Sequence, residues 1–139
     1  MMRYAITEND SNNKVPLAQE IDYVKKYIEL ENLQQKNGTL IQLDIKGNLN
    51  YRRILPMTFQ PILENCFKFG RDINFHLEIQ ESHIHFISTF TQKNTINTEE
   101  IYVHFQEVKK RILSEYQENI FLSIASEKQI YKLHLLLNS

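Results

Sequence analysis

Leu17, Ile21, Val24 and Ile28 recur at spacings of four, three and four, which places them on one stripe of a helix. Tyr27 and Leu30 widen that stripe, while Gln19, Glu20, Lys25, Lys26 and Glu29 supply its wet faces. Pro16 stands before the segment, and Asn37-Gly38 follows it as a pair suited to a left-handed cap. Ile41, Leu43 and Ile45 then alternate with Gln42, Asp44 and Lys46, the pattern of a half-buried strand closed by a turn at Gly47-Asn48. Ile54, Leu55 and Pro56 lead into a second helix over Met57 to Phe69, with Pro61 early and Gly70 in the place of a C-cap glycine. Ile73, Phe75, Leu77 and Ile79 alternate again; Glu81-Ser82 turns the chain, and Ile84 and Phe86 continue on a paired strand that extends towards Ser88. Thr89 to Glu100 is mostly polar and reads as a loop. A third helix runs from Glu100 to Tyr116, with Val108, Ile112 and Leu113 on its inner side, and strands at Phe121 to Ala125 and Ile130 to Leu137 complete the chain.

Hairpins separated by helices predict an α+β fold, a two-layer α/β sandwich in which a mixed sheet carries helices on one face. The length of 139 residues fits one domain with one core, here 15–139. Residues 1–14 precede that domain, and the polar run Thr7 to Lys14 reads as a linker. With 16 basic and 17 acidic residues, net charge -1, the chain lacks the basic excess of a nucleic-acid binder and the polybasic patch of a membrane-surface protein. No apolar stretch approaches the ~20 residues of a membrane span, and the N-terminus shows no secretory signal pattern. The lone cysteine, Cys66, lies in an apolar run and reads as a small core residue. Only three glycines occur, Gly38, Gly47 and Gly70, and no two are close enough to form a glycine-rich phosphate loop.

The run Phe59-Gln60-Pro61-Ile62-Leu63-Glu64-Asn65-Cys66-Phe67-Lys68-Phe69-Gly70 resembles the N-box of LytS/YehU-type sensor histidine kinases, an apolar-Gln-Pro-x-x-Glu-Asn-Ala-x-Lys-His-Gly helix. Val15-Pro16-Leu17, Glu20-Ile21 and Tyr27-Ile28-Glu29-Leu30-Glu31 resemble the stretch before the first strand in that family, and Met2-Arg3-Tyr4 the end of its phosphoacceptor segment. The resemblance is specific from Val15 to Gly70 and weak afterwards. It implies a GHKL (Bergerat-type, HATPase) ATP-binding domain with Mg-ATP as cofactor. Asn65 would then hold Mg²⁺ through its amide oxygen, Lys68 would meet phosphate oxygens from the same helix face, and Glu64 would be the candidate catalytic residue, holding a metal-bound water or a proton. Leu63, Cys66, Phe67 and Ile62 would pack the inner face of this helix whether or not ATP binds.

Departures from the family pattern collect around the nucleotide. Phe69 replaces the family histidine. Phe90 falls at or next to the adenine-recognising position, and phenylalanine cannot accept a hydrogen bond from adenine; an unpaired adenine amino group costs on the order of 1–3 kcal/mol. Counting back from Val108-Lys109-Lys110-Arg111 places Tyr102 and His104 where the family's glycine loop has its two glycines, and Glu107 where it has asparagine. Side chains there fill the space in which backbone N–H groups should cradle phosphate. The five histidines, His76, His83, His85, His104 and His134, all lie in the ATP-binding region, so the family's phosphoacceptor is missing from this chain and the chain reads as part of a longer kinase or as a truncated one. His83 and His85 share one side of a strand with His76 on its neighbour, which fits either a zinc site or a solvated strand face.

Three readings follow. The leading one is a degenerate, bacterial pseudokinase domain in two-component phosphorelay signalling, acting by contact with a LytTR-type response regulator and a kinase homodimer. The second is an active kinase with an unorthodox lid, and the third a repurposed ligand-binding regulatory domain. The resemblance further implies a cytoplasmic domain on a membrane-anchored parent.

Overall fold

The computed structural model describes residues 14–35, 40–116 and 120–138. Along the chain run β1 (Val15–Pro16), α1 (Leu17–Gln34), β2 (Gln42–Lys46), β3 (Arg53–Ile54), α2 (Gln60–Phe69), β4 (Gly70–Ile79), β5 (His83–Gln92), α3 (Thr98–Tyr116), β6 (Ile120–Glu127) and β7 (Ile130–Asn138). The main sheet has the order β2-β4-β5-β7-β6, with β2 parallel to β4 and every other pair antiparallel. This is the expected α+β sandwich with a mixed sheet. β1 and β3 pair separately as a two-stranded ribbon at the foot of α1.

The core follows the two periodicities. In α1 the buried side chains are Leu17, Ile21, Val24 and Ile28, the predicted stripe; Leu30 does not widen it and stands in solvent. Burying each such aliphatic side chain contributes about 1.5–3 kcal/mol. Ile73, Phe75, Leu77 and Ile79 of β4, Ile84, Phe86 and Phe90 of β5, and Tyr131, Leu133, Leu135 and Leu137 of β7 form the inner face of the sheet. Cys66 is buried among them, and burial pushes its thiol up to about 12.

Several boundaries differ from the sequence expectation, four of them instructively. α2 begins at Gln60 rather than Met57, because Met57 sits at φ +66° with its N–H donated to Glu20 Oε1 at 2.7 Å. β5 runs four residues beyond Ser88, because Thr89, Phe90 and Thr91 find partners in Lys132, Tyr131 and Ile130 of β7. α3 starts at Thr98, where Asn97 Oδ1 accepts the N–H groups of Glu99 at 2.8 Å and Glu100 at 3.3 Å as an N-cap. Gly70 does cap α2, its N–H bonded to the Cys66 carbonyl, but in an extended conformation (φ -118°) that opens β4 directly, ahead of Ile73. The expected cap at Asn37-Gly38 and the linker and phosphoacceptor remnant ahead of Lys14 lie outside the described residues.

Gly47 does satisfy the turn assigned to it. Its φ is +111°, and a Cβ there would collide with the backbone of Ile79. Thr58 Oγ1 and Tyr116 Oη share a hydrogen bond of 2.6 Å, which ties the start of α2 to the end of α3 and sets the two helices side by side.

Candidate functional site

α2 and α3 leave a cleft of about 260 Å³ between them. Pro61, Glu64, Asn65 and Lys68 line one wall, spaced along a single face of α2. His104, Glu107, Val108 and Arg111 line the other, at spacings of three, one and three along α3, with Phe69 closing the end. Both walls are helix faces because Ile62, Leu63 and Cys66 of α2 and Ile101, Phe105 and Ile112 of α3 bury the opposite faces. The N-box resemblance and the helix beyond it therefore meet in one place, and Glu64, Asn65, Lys68, His104 and Glu107 are brought together as cleft residues.

The details decide what the cleft can hold. Asn65 is buried, yet its side chain opens on the cleft. Lys68 is exposed, its Nζ 5.3 Å from the centre of the Phe69 ring. Glu64 turns towards Tyr27 Oη and Gln60 Nε2, which donate to its Oε2 at 3.5 and 3.3 Å; the same carboxylate, after burial, helps raise the Tyr27 pKa. His104 donates Nδ1–H to the Glu100 carbonyl at 2.9 Å and packs edge-on against Phe69, ring centres 5.0 Å apart. Lys68 stands with Glu64 on one wall and Arg111 with Glu107 on the other, so the walls carry two cations and two carboxylates.

Phe90 and Tyr102, the other two departures, lie outside the cleft, Phe90 in the core and Tyr102 half-buried above it. Phe90 is fully buried and stacks on Tyr131, centres 5.1 Å apart and planes within 8°. A Cβ on Gly70 would sit 2.5 Å from the Phe90 ring, so the glycine is there to let this ring lie against the start of β4. Tyr102 leans on Tyr131 from above at 6.0 Å and bonds Ser126 Oγ at 2.7 Å. Tyr131 Oη in turn donates to Gln92 Oε1 at 3.0 Å. The region assigned to adenine is thus a layer of stacked rings. Residues 102–107, which stand in the register of the family's glycine loop, are interior turns of α3. Without glycine or proline, and with Asn97 capping from below, nothing interrupts that helix.

Sequence reasoning passed over Lys93. Its Nζ donates to the carbonyls of Phe67 at 3.0 Å and Lys68 at 3.2 Å, and its N–H to Phe69 at 2.9 Å. A cation on the last carbonyls of α2 complements the helix dipole and fixes the five-residue link between β5 and α3. No composition signal marks it.

Mg-ATP is what the resemblance implies, and the fit is poor on three counts. The cleft falls below the roughly 300–1,000 Å³ of small-molecule pockets. Its balanced charges give a polyanion little net attraction. Asn65 offers one oxygen ligand, with the neighbouring carboxylate Glu64 engaged elsewhere, and no group of three or more His, Cys, Asp or Glu side chains among the described residues is placed to hold a metal ion. The three strand histidines do not converge either: His83 Nδ1 lies 2.9 Å from Ser82 Oγ, His76 Nε2 lies 3.4 Å from Glu78 Oε2, and His85 meets His134 instead.

Comparison with known proteins bears on the fold. The Histidine kinase family matches residues 1–39. A stretch of 72 residues is 29% identical to an uncharacterized sensor-like histidine kinase of Staphylococcus epidermidis, covering 52% of this chain and 14% of that protein. The sensor protein kinase HptS of Staphylococcus aureus is 26% identical over 90 residues, 61% of this chain and 17% of its own length. The chain therefore spans a minor part of both relatives. Among solved structures, the Acinetobacter baumannii histidine kinase AdeS superposes with a TM-score of 0.63 at 10% identity, covering 90% of this chain and 66% of that one. The catalytic domain of the histidine kinase ThkA gives 0.59 at 9% identity, covering 90% and 95%. The fold is that of a histidine kinase catalytic domain. No helix among the described residues is long and apolar enough to cross a membrane.

Proposed function

We propose that this chain is the catalytic-type domain of a sensor histidine kinase in which nucleotide turnover has been given up, and that it signals by protein contact. The observation that carries this reading is the Phe90–Tyr131 stack seated against Gly70. It occupies the ground that adenine would need, and the uninterrupted α3 leaves no glycine loop to wrap the phosphates. On this reading the chain is the cytoplasmic part of a membrane-anchored parent. Its partners are a LytTR-type response regulator and the phosphoacceptor helices of a kinase homodimer. LytS/YehU-type ancestry is supported by the N-box residues Glu64, Asn65 and Lys68 standing on one helix face.

Calorimetry with Mg-ATP and Mg-ADP tests it. The folded chain is expected to give no binding heat at high protein concentration. Micromolar binding that disappears in Asn65→Ala would overturn the proposal in favour of an active kinase with an unorthodox lid. That second reading draws on one observation, the placement of Asn65 and Lys68 on the open cleft.

A further inference from the structure

The sheet has a second face, turned away from the helices, and the two histidines that meet on it take no part in the cleft. His85 is on β5 and His134 on β7; in the ladder His85 is opposite Leu136 and Ile87 opposite His134, so the rings meet on the diagonal. His85 Nε2 lies 3.0 Å from His134 Nδ1, with ring centres 5.2 Å apart and planes inclined by 28°. Both residues are half-buried, so their rings are fixed by neighbours yet reachable from water. Glu78 stands directly across the ladder from His85 on the same outer face. Lys132 is the nearest cation along β7.

We propose that His85 and His134 form a surface site for a divalent late transition metal, Cu(II) or Ni(II) ahead of Zn(II). Imidazole ligands favour the later divalent ions, copper(II) above all. Two imidazole nitrogens bound at about 2.0–2.1 Å in adjacent positions of a square-planar or octahedral ion lie about 2.9 Å apart, so the hydrogen-bonded pair at 3.0 Å needs little change of separation to take one up. Imidazole binds metal through either nitrogen, so the mixed Nε2 and Nδ1 pair is chemically ordinary. In the metal-free pair one ring donates its single N–H to the lone pair of the other. Binding moves that proton, through water, to the donor ring's remaining nitrogen, and both inward lone pairs then face the ion. No net proton is released from the neutral pair. Water fills the other positions.

The test is titration of the purified chain with copper(II) chloride and nickel(II) chloride, followed by calorimetry and, for copper, by the nitrogen hyperfine pattern in its paramagnetic resonance spectrum. One ion per chain is expected in the micromolar range, with two imidazole nitrogens on copper. His85→Ala and His134→Ala should each weaken binding by at least about tenfold, because each removes one of two imidazole ligands, while His83→Ala and His104→Ala leave it unchanged. Circular dichroism on each variant confirms that it is folded. His134→Gln, which keeps polarity without the ring nitrogen, repeats the test if the alanine variant unfolds. Equal binding by the parent chain and both single variants, or no binding of either ion, overturns the proposal.

Discussion

The two neighbourhoods of α2 make the sharpest contrast in the molecule. Along its open side, Glu64, Asn65 and Lys68 face a cleft with His104, Glu107 and Arg111 across it. At its C-terminal end, Gly70 receives the ring of Phe90, and Phe90 stacks on Tyr131. The first neighbourhood keeps polar chemistry in reach of water, and the second is buried in the core. On the proposed reading a nucleotide would need both to be open, since its phosphates would lie along the first and its base against the second. Polar residues of the right type on a helix are therefore a weak sign of nucleotide binding when the neighbouring cavity is filled by aromatic rings.

The largest effect should come from the packed end. Phe90→Ala removes a fully buried ring and should lower stability by about 3–5 kcal/mol in urea unfolding. It also sharpens the comparison, since adenosine should raise the melting temperature of this variant if the emptied space has the shape of a base, and leave the parent chain unmoved. A much smaller effect is expected on the cleft side. Lys68 is exposed, so Lys68→Ala should change stability by no more than about 0.5 kcal/mol. A loss comparable to that of Phe90→Ala would break the contrast, because it would make the cleft part of the core.

The smallest effect concerns pH. Partial burial, His85 and Lys132 lower the His134 pKa below its ordinary value of 6.5. The unfolded chain therefore takes up the proton first as pH falls, and stability rises with pH in that window. The contribution is fully present above pH 6.5 and is lost as pH drops from there through the lower folded-state value. With a chelator present, the melting temperature should fall slightly between pH 7.5 and 5.5, and His134→Gln should flatten the fall. A parent and variant with parallel curves would show that other groups set the acid limb.

How much of this was legible in the sequence depended on whether the signal was local. The α1 stripe and the alternation in β4 and β7 are local patterns, and they predicted the elements and the sandwich correctly. The β1–β3 ribbon was illegible because two-residue strands have no period. Thr89 to Gln92 read as a loop because their strand character comes from β7, about forty residues away. The cleft was half legible. The α2 wall carries a motif, but Arg111 on the α3 wall was seen only as part of a helix, since what faces α2 depends on how the helices dock. The His85–His134 pair needed a register that joins residues 49 apart. Gly70 was read in part: it is the C-cap of α2, as its position suggested, but its close contact with a ring brought in by another strand was not legible.

Cys66 gives the molecule a built-in clock. It is the chain's single thiol, it is sealed in the core, and its proton is held up to about 12. Thiol reagents attack the thiolate, so the folded chain is silent to them at neutral pH. Each alkylation therefore records an excursion in which α2 has parted from the sheet. Mass spectrometry of the labelled fraction over time counts those openings without any engineered probe, and a binder that clamps α2 in place would be visible as a slower count.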